Sequence, residues 1–225
     1  MADLVITDLV VAREGRAVLD RCTARFAAGR RTVLWGRSGS GKSTLLAAIA
    51  GLLAPRSGTI ALGERVLFSS ALGIDVAPHE RRIGFVFQDL ALWPHLSAWE
   101  HVHLVGQPVG LTSVQAHDLL ASVGLGRLEQ RRPGQLSGGE QQRLAIARAL
   151  AGQPSILLLD EPFSSVDRVT RKAMYALLSD LSPRIPGPTI YVTHQSEDAT
   201  ALAEAVVTLA DGALVPGGRP WETEC

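Results

Sequence analysis

The sequence is poor in cysteine and lysine, carries no net charge and has no long apolar run, and each shortage closes a class of function. Its two cysteines, Cys22 and Cys225, make no disulfide framework and stand at no metal-ligand spacing. Both read as incidental, since a lone cysteine commonly serves as a small buried hydrophobe. With 22 Lys+Arg against 22 Asp+Glu, no excess field draws the chain to a polyanion, and no nucleic-acid partner is expected. Of the basic residues only Lys42 and Lys172 are lysines. The strongest apolar run, Thr44 to Pro55, falls short of the roughly 20 residues that span a bilayer. The 17 uncharged residues His101 to His117 contain three histidines and several Gly and Pro, which argues against a membrane helix there too. The N-terminus MADLVITDLV has acids where a signal peptide has bases, so a cytosolic chain is expected. What is present is 46% hydrophobic residues and 20% charged ones in 225 residues, enough to bury a large core in one domain or two unequal lobes.

Residues 4 to 36 alternate β-branched runs (Leu4 to Val11, Ala17 to Phe26, Arg31 to Trp35) with the turns Glu14-Gly15 and Ala28-Gly29, which predicts three strands joined by hairpins. KSTLLAAIA from Lys42 to Ala50 predicts a helix that ends at Gly51. Further strands are expected at Gly58 to Leu62, Arg65 to Phe68 and Arg82 to Phe87. Ser97 to Leu104, Ser113 to Val123 and Gly139 to Ala151 then read as helices set apart by Gly and Pro. The remainder alternates strand and helix: Ser155 to Leu159, Arg168 to Leu181, Thr189 to Val192, a short helix from Ser196, and Ala205 to Leu209. That alternation predicts a mainly parallel sheet covered on both faces.

Three runs carry chemistry. Gly36-Arg37-Ser38-Gly39-Ser40-Gly41-Lys42-Ser43 fits GxxxxGK[ST] between a strand and a helix, followed by Thr44. Successive N–H groups free of Cβ obstruction at a helix N-terminus make an anion nest for phosphates. Lys42 adds a point charge, and the Ser43 hydroxyl is a hard oxygen donor suited to Mg²⁺. Ile156 to Glu161 is an apolar strand ending in two carboxylates, at the end where open α/β sheets bind ligands. Asp160 there suits Mg²⁺, and Glu161, pointing elsewhere along the pleat, suits a general base for an attacking water. Leu136-Ser137-Gly138-Gly139-Glu140 precedes QQRLAIARALA, whose spacing predicts an amphipathic helix. Ser137 with Glu140 makes an N-terminal cap; a cap alone does not require both glycines, and a second anion nest does.

The order of these runs resembles the nucleotide-binding subunit of ATP-binding cassette (ABC) transporters along about the whole chain. The resemblance rests on the loop 36–43, Gln88 after the strand Ile83 to Phe87, the signature 136–140, Asp160-Glu161, Ser164 to Asp167, and His194 after Thr189 to Thr193. It implies an α/β fold with a P-loop NTPase (RecA-like) core, an N-terminal antiparallel β subdomain and an inserted helical subdomain. In that scheme residues 1–225 form one ABC ATPase domain, with 1–88 and 154–225 as the nucleotide-binding core and 89–153 as the helical signature subdomain. It implies ATP and Mg²⁺ as cofactors, with Ser43, Gln88 and Asp160 at the metal. It also implies a head-to-tail homodimer or pseudo-dimer in which Ser137, Gly138 and Gly139 contact the γ-phosphate in trans. Glu161 would act as general base, His194 would hold the γ-phosphate, Gln88 would sense metal and water, and Asp167 would communicate across the dimer.

The chain departs from the family pattern where an aromatic residue usually stacks on adenine. Val11-Ala12-Arg13-Glu14-Gly15 stands there, and Arg13 is either a guanidinium stacked on the base or a solvated hairpin charge. Ser165-Val166 replaces the common Ala-Leu, a mild change. Long coiled-coil insertions are excluded by the 92 residues between Ser43 and Leu136. Asp160 to Ser164, Arg81 to Asp89 and Leu92 to Ser97 resemble binding-protein-dependent importers, which implies integral membrane permease subunits and an extracytoplasmic substrate-binding protein. The ATPase would then sit peripherally on the inner face of the membrane. Glu140-Gln141-Gln142-Arg143 is also frequent in separate-subunit exporters of the lipoprotein-release type, and a soluble ATPase without a permease is the third alternative. Longer sugar-importer ATPases add a C-terminal regulatory domain, which is not expected here. Trp93 and Trp99, beyond Gln88, either anchor an interface or pack the helical lobe. His95, His101 and His103 beside them are read as non-ligands.

Overall fold

Two compact units divide the chain, Met1–Arg81 with the stretch from Ser182 onward, and Arg82–Leu181. The computed structural model describes residues 1–13, 15–163 and 167–218. Glu14, Ser164, Ser165, Val166 and Cys225 therefore lie outside the described residues.

In the first unit, β1 (Leu4–Arg13) pairs antiparallel with β2 (Arg16–Phe26) and with β4 (Ser57–Leu62); β5 (Arg65–Ser69) and the two-residue β6 (Ile74–Asp75) complete an antiparallel sheet of order β2-β1-β4-β5-β6. Leu4, Ile6, Leu9 and Val11 of β1 are fully buried. Their spacing slips by one between Ile6 and Leu9, where Asp8 takes φ 48° and the register shifts. The bulge returns Leu9 and Val11 to the core face that a strict alternation would have lost.

The second sheet region of this unit runs β11-β10-β3-β9: β3 (Arg31–Trp35) lies parallel between β9 (Thr189–Val192) and β10 (Ala205–Ala210), and β11 (Ala213–Pro216) closes antiparallel on β10. The expected hairpin from β2 into β3 is not formed. Thr32, Val33 and Leu34 are buried on both faces, as an inner parallel strand requires, so the Ala28-Gly29 turn passes the chain from one sheet to another. Helices α1 (Lys42–Ala50) and α6 (Ser196–Leu202) belong to this unit.

The C-terminal end of α1 is fixed by Arg81, which is fully buried. Its guanidinium donates to Ala48 O (3.0 Å), Ile49 O (2.8 Å), Val76 O (2.7 Å) and Asp75 Oδ1 (2.7 Å). A cation on the last-turn carbonyls satisfies groups that a helix leaves open and complements its dipole.

The second unit holds the parallel pair β7 (Ile83–Val86) and β8 (Ile156–Asp160), in register from Ile83↔Ile156 to Val86↔Leu159. Between them the chain forms α2 (Ala98–Gly106), α3 (Ser113–Ser122) and α4 (Gly138–Ala151); α5 (Arg168–Leu181) follows β8. Each of α2, α3 and α4 opens with a capping box, Ser97 with Glu100, Thr112 with Gln115 and Ser137 with Glu140. Helix α4 is part exposed over its first turns and enclosed after them. Leu144 to Ala149 are buried without a break, Arg148 included, so this stretch presents no polar face.

Candidate functional site

The phosphate-binding run lies between β3 and α1. Gly41, the N-cap of α1, takes φ 104° and offers no side-chain cap, and no acid stands in the first turn. In contrast with the boxed helices of the other unit, α1 opens on a glycine that brings no side chain to its first turn, which suits an external anion. A β-carbon on Gly41 would lie 2.9 Å from Val18 Cγ1, and one on Gly36 would lie 2.5 Å from Leu209 O and 2.8 Å from Ser40 Oγ. The loop is thus pressed on β2 at one end and on β10 at the other, and glycine is what both approaches require. Lys42 is 5% exposed and donates to Gly36 O (2.8 Å) and Arg37 O (2.9 Å), so its ammonium bridges the start of its own loop. Ser43 is exposed one residue on, and Thr44 is buried.

A cavity of about 840 Å³ adjoins the loop, lined by Arg16, Ala17 and Val18, by Trp35 to Ser40, and by Thr208 to Gly212. Two of its lining residues, Ser40 and Thr208, have buried hydroxyl oxygens with no hydrogen-bond partner among the described residues. Arg16 lines this space; Arg13 is exposed at the end of β1, opposite Arg16 in the hairpin.

His194 is exposed just past β9. The turn that carries it is held from behind by Asp198, a buried carboxylate that accepts from Tyr191 Oη (3.1 Å) and Thr193 Oγ1 (3.0 Å), while Thr193 Oγ1 accepts from Gln195 N (3.0 Å). Asp198 was not legible from its neighbours; its one signal is an acid in the first turn of α6, which reads as ordinary dipole compensation.

In the second unit, Asp160 ends β8 and is 7% exposed, and Glu161 follows at φ 45°. A non-glycine residue in that region is strained, and such strain gathers at functional sites. Gln88 is exposed in the turn after β7, closed by Leu90 N donating to Phe87 O (2.9 Å). Asp167 is exposed and caps α5, its Oδ1 accepting from Thr170 N (3.0 Å). At the signature, Ser137 N donates to Glu140 Oε2 (2.7 Å) and Glu140 N to Ser137 Oγ (3.4 Å). The bond from the Ser137 backbone first, and the Ser137 side chain after it, hold the Glu140 carboxyl below the usual range. The box leaves the N–H groups of Gly138 and Gly139 without intrahelical acceptors. The two glycines differ in their surroundings. A β-carbon on Gly139 would meet Thr170 Cγ2 at 2.5 Å, whereas one on Gly138 would meet no atom within 4 Å.

Of the two tryptophans beyond Gln88, Trp93 is 36% exposed, while Trp99 is half-buried and stacks on His103 with ring centres 4.5 Å apart. His101 is fully buried; its Nε2 accepts from Trp93 N (2.9 Å), which leaves Nδ1 to donate to Ser97 O (2.7 Å). Burial lowers its pKa, Arg148 and His95 add to the decrease, and the Ser97 bond and Glu100 oppose it. The unfolded chain takes up this proton near pH 6.5 and the folded chain does so only at lower pH, so the contribution is complete above about 6.5 and is lost below. His101→Gln is therefore expected to flatten the fall in urea midpoint between pH 7 and 5; an unchanged slope refutes the assignment.

The family described as ABC transporter matches residues 19–164. The chain belongs to the ABC transporter family. Among its curated relatives in that family, the molybdenum import ATP-binding protein ModC of Rhodospirillum rubrum is 39% identical over 214 residues, 94% of this chain and 57% of that protein. The ModC of Brucella abortus is 40% identical over 215 residues, 95% of this chain and 60% of that protein. The ModC of Mesorhizobium japonicum is 42% identical over 199 residues, 87% of this chain and 54% of that protein. The chain thus spans under two thirds of the length of the ABC relatives it matches. Among the described residues no helix is long and apolar enough to cross a membrane.

Proposed function

We propose that this chain is the ATP-binding and ATP-hydrolysing subunit of a binding-protein-dependent ABC importer, and that its cargo is the molybdenum for which its relatives are named. The observation that carries this reading is about 40% identity to import ATP-binding proteins along 95% of the chain. Supporting it are the uncapped N-terminus of α1 and the buried Lys42, both suited to phosphate.

Roles follow residue by residue. The amides from Gly36 to Ser43, Lys42 and Thr44 bind and orient the phosphates of ATP, which supplies the γ-phosphoryl group. Ser43, Asp160 and Gln88 are oxygen donors of the hard class that Mg²⁺ takes, and we assign them to it. Glu161 accepts a proton from the attacking water, His194 stabilises the γ-phosphate, and Asp167 signals between cassettes. Among Arg13 and Arg16, the cavity favours Arg16 as the neighbour of the base. Because phosphoryl transfer depends on positioning and charge, a site completed by a second cassette makes hydrolysis conditional on closure. Ser137, Gly138 and Gly139 supply that completion in a head-to-tail dimer. The open side of Gly138 favours an approach from outside the chain. Residues 89–153 act as the helical signature subdomain between core segments 1–88 and 154–225. The subunit works peripherally on the inner face of the membrane, bound to its permease.

The test is purification of tagged Glu161→Gln protein with Mg-ATP from gently solubilised membranes of the source organism. Recovery of a permease and a binding protein that takes up molybdate supports the reading. A permease of the release type would identify an exporter, and a soluble dimer with no membrane protein would remove transport altogether.

A further inference from the structure

Immediately past Gln88 the backbone takes two consecutive left-handed steps, with Leu90 at φ 61° and Ala91 at φ 43°. A β-carbon opposes that conformation, and adjacent non-glycine residues keep it only where the surroundings over-determine it. Here one side chain takes the carbonyls of both residues. Arg148 of α4, 6% exposed, donates through Nη1 to Ala91 O and through Nη2 to Leu90 O (3.0 Å), and its Cζ lies 5.4 Å from the centre of the Trp93 ring. One planar fork therefore takes both carbonyls of the strained pair and covers the ring of Trp93, two residues on. His101 of α2 continues the hold through Trp93 N and Ser97 O.

Arg148 has no packing reason to be charged. Leu144 to Ala147 and Ala149 around it are apolar and buried, and an aliphatic side chain would fill such a position without desolvating a cation. Asp89 lends an opposite charge that counters part of the effect of burial on the guanidinium. The same helix begins at Gly138, ten residues and about 15 Å of helix from Arg148, so a rigid rod joins the signature to this turn.

We propose that Arg148 is a positioning residue: by clamping the left-handed pair Leu90–Ala91 it fixes the turn that presents Gln88. The kinetic consequence rests on the ATPase reading given above.

In steady-state hydrolysis by the full chain, Arg148→Lys is expected to lower kcat about tenfold and to move the KM for ATP by less than about twofold, since an ammonium cannot take two carbonyls as a fork does. Adding Leu90→Gly and Ala91→Gly to that variant should restore about threefold or more, because glycine takes positive φ without a clamp. Unchanged kcat in Arg148→Lys, a KM rising in step with the loss, or no rescue overturns the proposal. Ala91→Val tests it with Arg148 intact: the site is exposed, so the fold is not at risk, and a β-branched residue resists the turn. It should lower kcat about threefold at constant KM, and an unchanged kcat counts against the clamp. Amide exchange separates this proposal from the ATPase reading. Residues 89–97 should exchange about tenfold faster in Arg148→Lys while α3 stays unchanged. Equal rates overturn the clamp whether or not ATP is hydrolysed. Absent hydrolysis in the wild type together with that exchange difference overturns the ATPase reading alone.

Discussion

Glu161→Gln is expected to lower kcat for ATP hydrolysis by about 10²- to 10⁴-fold, the span typical of a lost general base, while ATP affinity changes by less than about twofold. The amide matches the carboxylate in size and cannot accept the proton of the attacking water. Binding survives because the groups assigned to the phosphates, Lys42 and the amides of 36–43, stand on another part of the chain. If nucleotide closes two cassettes on each other, the variant holds them closed, and size exclusion with Mg-ATP should show a dimer that the wild type loses by hydrolysis. Turnover at near wild-type rate would remove Glu161 from the base role.

Lys42→Ala should weaken Mg-ATP binding by about two to four powers of ten, taking about 1.5–3 kcal/mol for each of two charge-assisted hydrogen bonds to phosphate oxygens. The same ammonium bonds Gly36 O and Arg37 O, so its removal also loosens the loop whose amides form the nest. Both effects act on binding. Lys42→Arg should not restore affinity, because a planar fork does not fit where a compact charge bridges two carbonyls. Titration calorimetry with Mg-ATP decides the matter: affinity within about threefold of wild type would show that the phosphates are bound elsewhere.

Local chemistry made much of the fold readable. Helices α1 and α5 and strand β9 occupy the residues expected from their breakers and apolar spacing. The hairpin expected between β2 and β3 failed because Ala28-Gly29 suits a hairpin as well as a passage between sheets. The buried run Thr32 to Leu34 held the deciding signal. Strands β6 and β11, two and four residues long, are set by pairing with a neighbour and leave little pattern of their own. The motif residues stand out in sequence because glycines, a lysine and acids recur at fixed offsets. Arg81, Arg148 and Asp198 do not, since apart from the Asp75 carboxylate beside Arg81 the partners described are carbonyls or hydroxyls, and no offset announces them.

The paired glycines of the signature are constrained differently. Residue 139 is confined by Thr170, so a larger side chain there disturbs the folded chain before any partner is met. At residue 138 no atom of the described residues would meet a β-carbon, so a small side chain there leaves the packing of those residues undisturbed. If a second cassette closes over this face, as proposed, a side chain added at 138 should cost assembly alone, whereas one added at 139 should cost folding as well.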